Sequence, residues 1–206
     1  MIEPPERSEE RDAALTALLA RVPAQGWTFS ALRAALRDIG AEPEGAELLF
    51  PGGAADMIEA FCDLADRRMA AEAAGLDLGA RRLPARVRAL IALRLAQHRA
   101  HREAVRRALG ILALPRHAGL AATCTARTVD AIWHAAGDRS ADFSWYTKRA
   151  TLAGIYTATV LFWLRDAAED DTRTLGFLDR RLADIGRIGA LRRRLRPSPQ
   201  AGDAKP

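Results

Sequence analysis

From Arg11 to Leu195 the apolar residues recur at spacings of three and four, and nowhere does an alternation of period two persist for five residues. No Asn-Gly or Asp-Gly hairpin signal interrupts the pattern. An all-α fold follows, and about nine helices can be placed. Arg11 to Val22 puts Ala14, Leu15, Leu18, Leu19 and Val22 on one face, with Pro23 and Gly26 as its stop. Thr28 or Ser30 caps a second helix that runs to Ile39 and ends at Gly40. A short third element is expected from Glu44 to Phe50, and Pro51-Gly52-Gly53 separates it from a long fourth helix, Ala54 to Ala74. Behind Pro84 come helices near 85–98, 101–112, 118–136, 143–164 and 172–195. The organisation expected is a helical module at 11–53, a larger helical body at 54–195 and a Pro-rich, disordered tail at 196–206.

Composition narrows the function classes. The net charge of +5 and pI near 10 come from arginine, since lysine occurs only at Lys148 and Lys205. That balance permits an anionic partner without naming one. The two cysteines, Cys62 and Cys124, are far apart in sequence, which argues against a disulfide framework and fits buried thiols in a reducing compartment. MIEPPERSEE at the amino terminus has neither the apolar segment of a secretory signal nor the arginines of a transit peptide. The most apolar stretch, Ala150 to Leu164, is 15 residues long with Thr151, Thr157 and Thr159 inside it, short of the roughly 20 that span a bilayer. Abundant Ala and Arg suggest a GC-rich bacterial source, so a cytoplasmic protein peripheral to a bacterial inner membrane is expected.

Three short helices with a glycine turn between the second and third, followed by a long helix and a larger body, resemble TetR-type regulators. Such a module reads DNA by laying its third helix in the major groove, with Lys and Arg neutralising phosphates. Here the segment has the wrong sign. Asp38, Glu42, Glu44, Glu47, Asp56, Glu59, Asp63 and Asp66 fall between 38 and 66, where no Lys or Arg occurs. Each acid a few ångströms from a phosphate repels by about 1 kcal/mol even in bulk water. Either the stretch is an ordinary solvated surface, or the regulator shape has been kept without nucleic-acid binding. The alternative reading is a DNA-binding regulator whose larger domain senses an apolar ligand.

The densest motif is Trp133-His134-Ala135-Ala136-Gly137-Asp138, then Asp142-Phe143-Ser144-Trp145-Tyr146-Thr147-Lys148-Arg149, then Leu152-Ala153-Gly154-Ile155-Tyr156. It resembles the ubiquinone-biosynthesis accessory family known as coenzyme Q biosynthesis protein nine. Phe50-Pro51-Gly52-Gly53, Ala65 to Met69, His101 to Ala108 and Leu178 to Leu182 are similar to the family's other blocks, so the likeness runs from about Leu15 to Gly189. The resemblance implies a TetR-like fold that is usually dimeric and holds an isoprenoid or other lipid in its body. It also implies a non-catalytic role beside a di-iron hydroxylase acting on demethoxyubiquinone, with no cofactor beyond the bound lipid or quinone precursor. The family's partner-binding surface falls on Asp130, Ile132, Trp145 and Tyr146; from the residues alone, the last two read as core aromatics. Ala131 stands where relatives carry a second acid, a departure that bears on any electrostatic docking.

Candidate lipid-lining residues are Leu152, Ile155, Tyr156, Val160, Phe162 and Trp163, interleaved with Ala153, Gly154 and Ala158, together with Leu109, Leu112 and Leu120. On the last helix Leu182, Ile185 and Ile188 recur at helical spacing while Arg187, Arg192 and Arg193 crowd the other face and the end. Such a basic amphipathic helix suits either an anionic bilayer or packing on the body with a solvated face. Enzyme signatures are missing: none of His98, His101, His117 and His134 follows a Glu at three residues, which a di-iron helix pair requires. Phosphate loops, Gly-x-Ser-x-Gly elbows and Cys-x-x-Cys pairs are likewise absent from the sequence. A helical enzyme acting on isoprenoids remains a third possibility.

Overall fold

The computed structural model describes residues 3–138, 144–168 and 170–194, with side chains placed except for Ser144, Trp145 and 185–194. The tail expected at 196–206 lies outside the described residues. Ten α-helices follow in order: α1 (Glu9–Leu19), α2 (Val22–Gln25), α3 (Phe29–Asp38), α4 (Ala46–Leu49), α5 (Gly53–Ala73), α6 (Leu83–Gln97), α7 (Arg102–Leu112), α8 (Ala118–Ala135), α9 (Ser144–Arg165) and α10 (Thr172–Arg194). The element beyond the expected nine is α2. Pro23 sits in its first turn, where a missing N–H costs nothing, so the residue that reads as a terminator of α1 starts a new helix instead.

Local chemistry sets the boundaries. Ser8 Oγ accepts from the Arg11 N–H at 3.1 Å and Thr28 Oγ1 from the Ala31 N–H at 3.1 Å, capping α1 and α3. At the end of α3, Gly40 has φ 71°, Ala41 N–H donates to Leu36 O at 2.9 Å and Gly40 N–H to Arg37 O at 3.1 Å. This is a Schellman closure, and only glycine adopts that φ without strain. Gly137 repeats it after α8, with φ 77° and Asp138 N–H donating to Trp133 O at 3.1 Å.

Two apolar cores divide the molecule. The first joins α1, α3, α4 and the start of α5 with α7, through Leu15, Leu18, Leu32, Leu36, Phe50 and Met57. The second gathers the end of α5 with α6, α8, α9 and α10 around Met69, Leu90, Ile91, Ile132 and Trp163. Leu109 and Val105 of α7 touch both. Trp27 fastens the amino-terminal module to α7: its Nε1 donates to Ala104 O at 3.1 Å and its ring lies 5.3 Å from that of Phe61.

Arg11 closes the module. Its guanidinium is buried, stacks 4.3 Å over the Phe50 ring, pairs with Asp56 at 2.6 Å and donates to Leu49 O, tying α1 to both ends of the α4–α5 turn. Arg11→Met keeps the packing volume but strands Asp56 and the Leu49 carbonyl. The expected loss is about 3 kcal/mol of unfolding free energy in urea titrations. A change below about 0.5 kcal/mol, the usual size for a surface substitution, would show that Arg11 only fills space.

Candidate lipid site and its surface rim

α9 begins beside the end of α8 because the Gly137 closure halts α8 and the chain returns within a few residues. Ion pairs hold the two helix ends together. Arg149 of α9 meets Asp130 of α8 at 2.7 Å, and Lys148 meets Asp138 at 3.6 Å. Where α8 and α9 spread to admit α6 and α10, a cavity of about 270 Å³ opens. Its walls are Leu83, Pro84 and Val87 from α6, Trp133 from α8, Leu152 from α9 and Leu182 from α10, with Thr147, Lys148 and Thr151 supplying the polar positions. Thr147 and Thr151 are one turn apart, so a single stripe of α9 carries the hydroxyls while Leu152 carries the apolar contact.

Behind this wall the body holds a buried polar junction. Arg94 of α6 pairs with Asp66 of α5 at 2.9 Å and donates to Tyr156 Oη at 3.3 Å, and Thr128 of α8 donates to Asp66 Oδ2 at 3.1 Å. Burial pushes the Asp66 carboxyl up to about 6, although Arg94 and Thr128 pull it the other way. Burial pulls the Arg94 guanidinium down, but Asp66, Tyr156 and Cys62 outweigh it, and the net shift is upward. Next to this junction His98 packs 5.1 Å from the Phe61 ring, and burial reinforced by the Arg94 charge drops its pKa to about 3.

The residues singled out in the sequence separate into different environments. Of the nine lipid-lining candidates, Leu152 lines the cavity. Ile155, Val160 and Trp163 are buried in the second core, Trp163 under Arg102 at 4.6 Å with its Nε1 donating to Asp171 at 3.0 Å. Tyr156 serves the Arg94 junction, and Phe162 stacks on Phe177 at 4.7 Å. Leu112 and Leu120 belong with the first core, and Leu109 bridges the two. Leu182, a membrane-contact candidate, turns inward to the cavity, while the side chains of Ile185, Ile188, Arg187, Arg192 and Arg193 lie outside the described residues.

Among the partner-binding candidates, Tyr146 is 71% exposed and Asp130 is exposed, one turn of α9 apart through the Arg149 pair. Ile132 has no exposed surface and is packed in the second core. The Trp145 side chain lies outside the described residues. Trp133, Val87, Thr147 and Thr151 were not singled out for the cavity. Their signal lies in pairs one turn apart, Pro84 with Val87 and Thr147 with Thr151, and becomes meaningful only once α6 is known to face α9.

The acid-rich stretch is divided by folding. Arg21 pairs with Asp38, Arg33 with Glu47, Arg127 with Glu59, and Arg7 and Arg67 with Asp63, all brought in from outside 38–66. Around α4 the exposed side chains are Glu44, Glu47 and Leu48. Negative charge with an 85% exposed leucine therefore marks the would-be groove reader. Among the described residues no helix is long and apolar enough to cross a membrane, and no group of three or more His, Cys, Asp or Glu could hold a metal ion.

The COQ9 family model matches residues 118–189, the segment that builds α8, α9 and most of α10. Ubiquinone biosynthesis protein COQ9, mitochondrial, of Rattus norvegicus is 32% identical over 194 residues, covering 91% of this chain and 62% of the relative. Its Homo sapiens counterpart is 32% identical with 91% and 61% covered. The chain is similar to COQ9 proteins over most of its length. It spans about three-fifths of the length of these relatives. A TetR transcriptional regulator from Nitrosomonas europaea superposes with a TM-score of 0.70 at 23% identity, over 87% of this chain and 99% of that one, which shows the TetR-like fold. The relatives are named as mitochondrial proteins, and this overturns the expected bacterial, inner-membrane-peripheral location. Ala and Arg content reports nucleotide composition, not compartment, and so could not carry that expectation.

The two perturbed groups of the junction oppose each other in pH. Below the ordinary histidine value of 6.5 the unfolded chain gains a proton that His98, at about 3, refuses, so stability falls as pH drops across that window. Asp66 does the reverse: between 3.8 and about 6 the folded chain keeps a proton the unfolded chain has released, so its contribution is present at low pH and lost as pH rises. In His98→Gln the first effect vanishes. Relative to the parent, the variant should gain about 2 kcal/mol of unfolding free energy between about pH 6.5 and pH 4.5. Parallel pH profiles for the two proteins would mean that His98 is protonated in the folded state.

Proposed function

We propose that this chain is a non-catalytic, lipid-binding accessory protein of ubiquinone biosynthesis. It holds the hydrophobic part of an isoprenoid or quinone precursor and presents it to the di-iron hydroxylase that acts on demethoxyubiquinone. The observation that carries this reading is the cavity between α6, α8, α9 and α10, whose apolar walls adjoin exposed Tyr146 and Asp130 through the same turns of α8 and α9. A void of about 270 Å³ is near the lower limit of ordinary ligand pockets, about 300 Å³. It takes a head group or a short prenyl segment, and a longer tail leaves past α10. Trp133, in the wall, has a buried Nε1 without a hydrogen-bond partner among the described residues, a donor suited to a ligand oxygen once the indole shifts.

The family names support ubiquinone biosynthesis as the process: the relatives of rat, human and Xenopus laevis are all called ubiquinone biosynthesis proteins. Acidic α4 speaks against DNA as the ligand of the amino-terminal module. The exposed Leu161 of α9, beside the stacked Phe162 and Phe177, suits a second copy of the chain.

Two measurements test the proposal. Mass spectrometry of an organic extract from the purified protein should find an isoprenoid or other lipid at near-stoichiometric amount. Leu152→Trp should cut it severalfold with helicity retained, and unchanged lipid in that variant would move the ligand elsewhere. Trp145→Ala combined with Tyr146→Ala should abolish co-purification of the hydroxylase while lipid content and circular dichroism stay as in the parent. Loss of fold in that double variant would return Trp145 to a core role.

A further inference from the structure

The seam between α5 and α8 is the most extensive helix contact in the molecule, and both cysteines lie on it. Sequence distance conceals this, because 62 and 124 meet only when α8 packs along α5. The register is fixed by a second pair. Asp66 and Thr128 stand one turn beyond Cys62 and Cys124 on their respective helices, and Thr128 Oγ1 donates to Asp66 Oδ2 at 3.1 Å. Advancing four residues on both helices keeps the partners opposed, so the helices run in register here and Cys62 faces Cys124. Both thiols are free and neighbour each other across the seam. Ala121, Cys124, Thr125 and Thr128 give α8 a stripe of small side chains along this face, the kind that lets helices approach closely enough for Cα atoms to come within about 7 Å, as a disulfide requires.

We propose that Cys62 and Cys124 form an oxidation site, a thiol pair that a hydroperoxide converts to an intramolecular disulfide joining α5 to α8. One sulfur attacks the peroxide oxygen, becoming a sulfenic acid as the O–O bond breaks and the alcohol, or water from hydrogen peroxide, departs. The second sulfur then attacks the sulfenic sulfur, the S–O bond breaks, and the oxygen leaves as water with the remaining thiol proton. The protein loses two electrons and two protons to one peroxide, and a dithiol reverses the change by exchange.

Both thiols are shielded, Cys124 buried and Cys62 partly exposed, so either sulfur can attack first and its neighbour resolve it. The bond would fasten α5, which continues from the amino-terminal module, to α8, which carries Trp133 and Asp130. The site stands whether or not the cavity holds lipid.

The test uses the reduced full chain exposed to hydrogen peroxide at low protein concentration, then alkylated in denaturant and mapped without reductant. The expected product is a monomer lighter by two hydrogen atoms, with the peptides of Cys62 and Cys124 joined and both alkylatable thiols restored by dithiothreitol. Its thermal midpoint should lie several degrees above that of the reduced protein. In Cys62→Ser or Cys124→Ser the sulfenic acid on the remaining cysteine should persist and be trapped by dimedone. Disulfide-linked dimers would overturn the proposal. So would sulfinic acid on one cysteine with the other still alkylatable, or two untouched thiols under conditions that oxidise a model peptide. Because the unsubstituted chain gives the deciding result, poor folding of either variant leaves the test intact.

Discussion

The ion pair between Arg94 and Asp66 is the constraint around which the larger half of the molecule is arranged. Desolvating a guanidinium and a carboxylate costs several kcal/mol for each ion, and their mutual attraction offsets this only with further hydrogen bonds in place. Thr128 supplies one to the carboxylate; Tyr156 and the Cys62 carbonyl accept from the guanidinium. These partners come from α5, α6, α8 and α9, so four helices must reach one point in one register. The cavity lies where α6, α8 and α9 meet α10.

The amino-terminal module is organised by a different economy. Its acids are met by arginines from distant segments, Arg7, Arg11, Arg21, Arg33 and Arg127, at a surface where single pairs contribute about 0–1 kcal/mol. Only Arg11 is buried deeply enough for its partners to depend on it. The module and the body are bound through Trp27 and α7, so the TetR-like arrangement is held by packing.

Fold class was legible because helical spacing is a local property: the nine expected helices are present, with shifted ends, and the added α2 came from reading Pro23 as a stop rather than a start. The family motif was legible too, since Trp133 to Tyr156 is dense and contiguous. The cavity was not. An apolar stripe such as Leu152 to Trp163 looks the same whether it faces a void or a neighbour, and most of that stripe faces Arg94, Phe177 or the second core. Tyr156 illustrates the failure: nothing local reveals that its hydroxyl meets an arginine 62 residues earlier. Cys62 and Cys124 are free thiols as expected, but their meeting on the α5–α8 seam was hidden by their separation along the chain.

One dimension of α4 bears on what the module could grip. The helix has 4 residues, about 6 Å of axial rise, whereas the major groove is about 12 Å wide. Swapping its acids for bases would therefore leave a stub that meets too few base edges to discriminate among sequences.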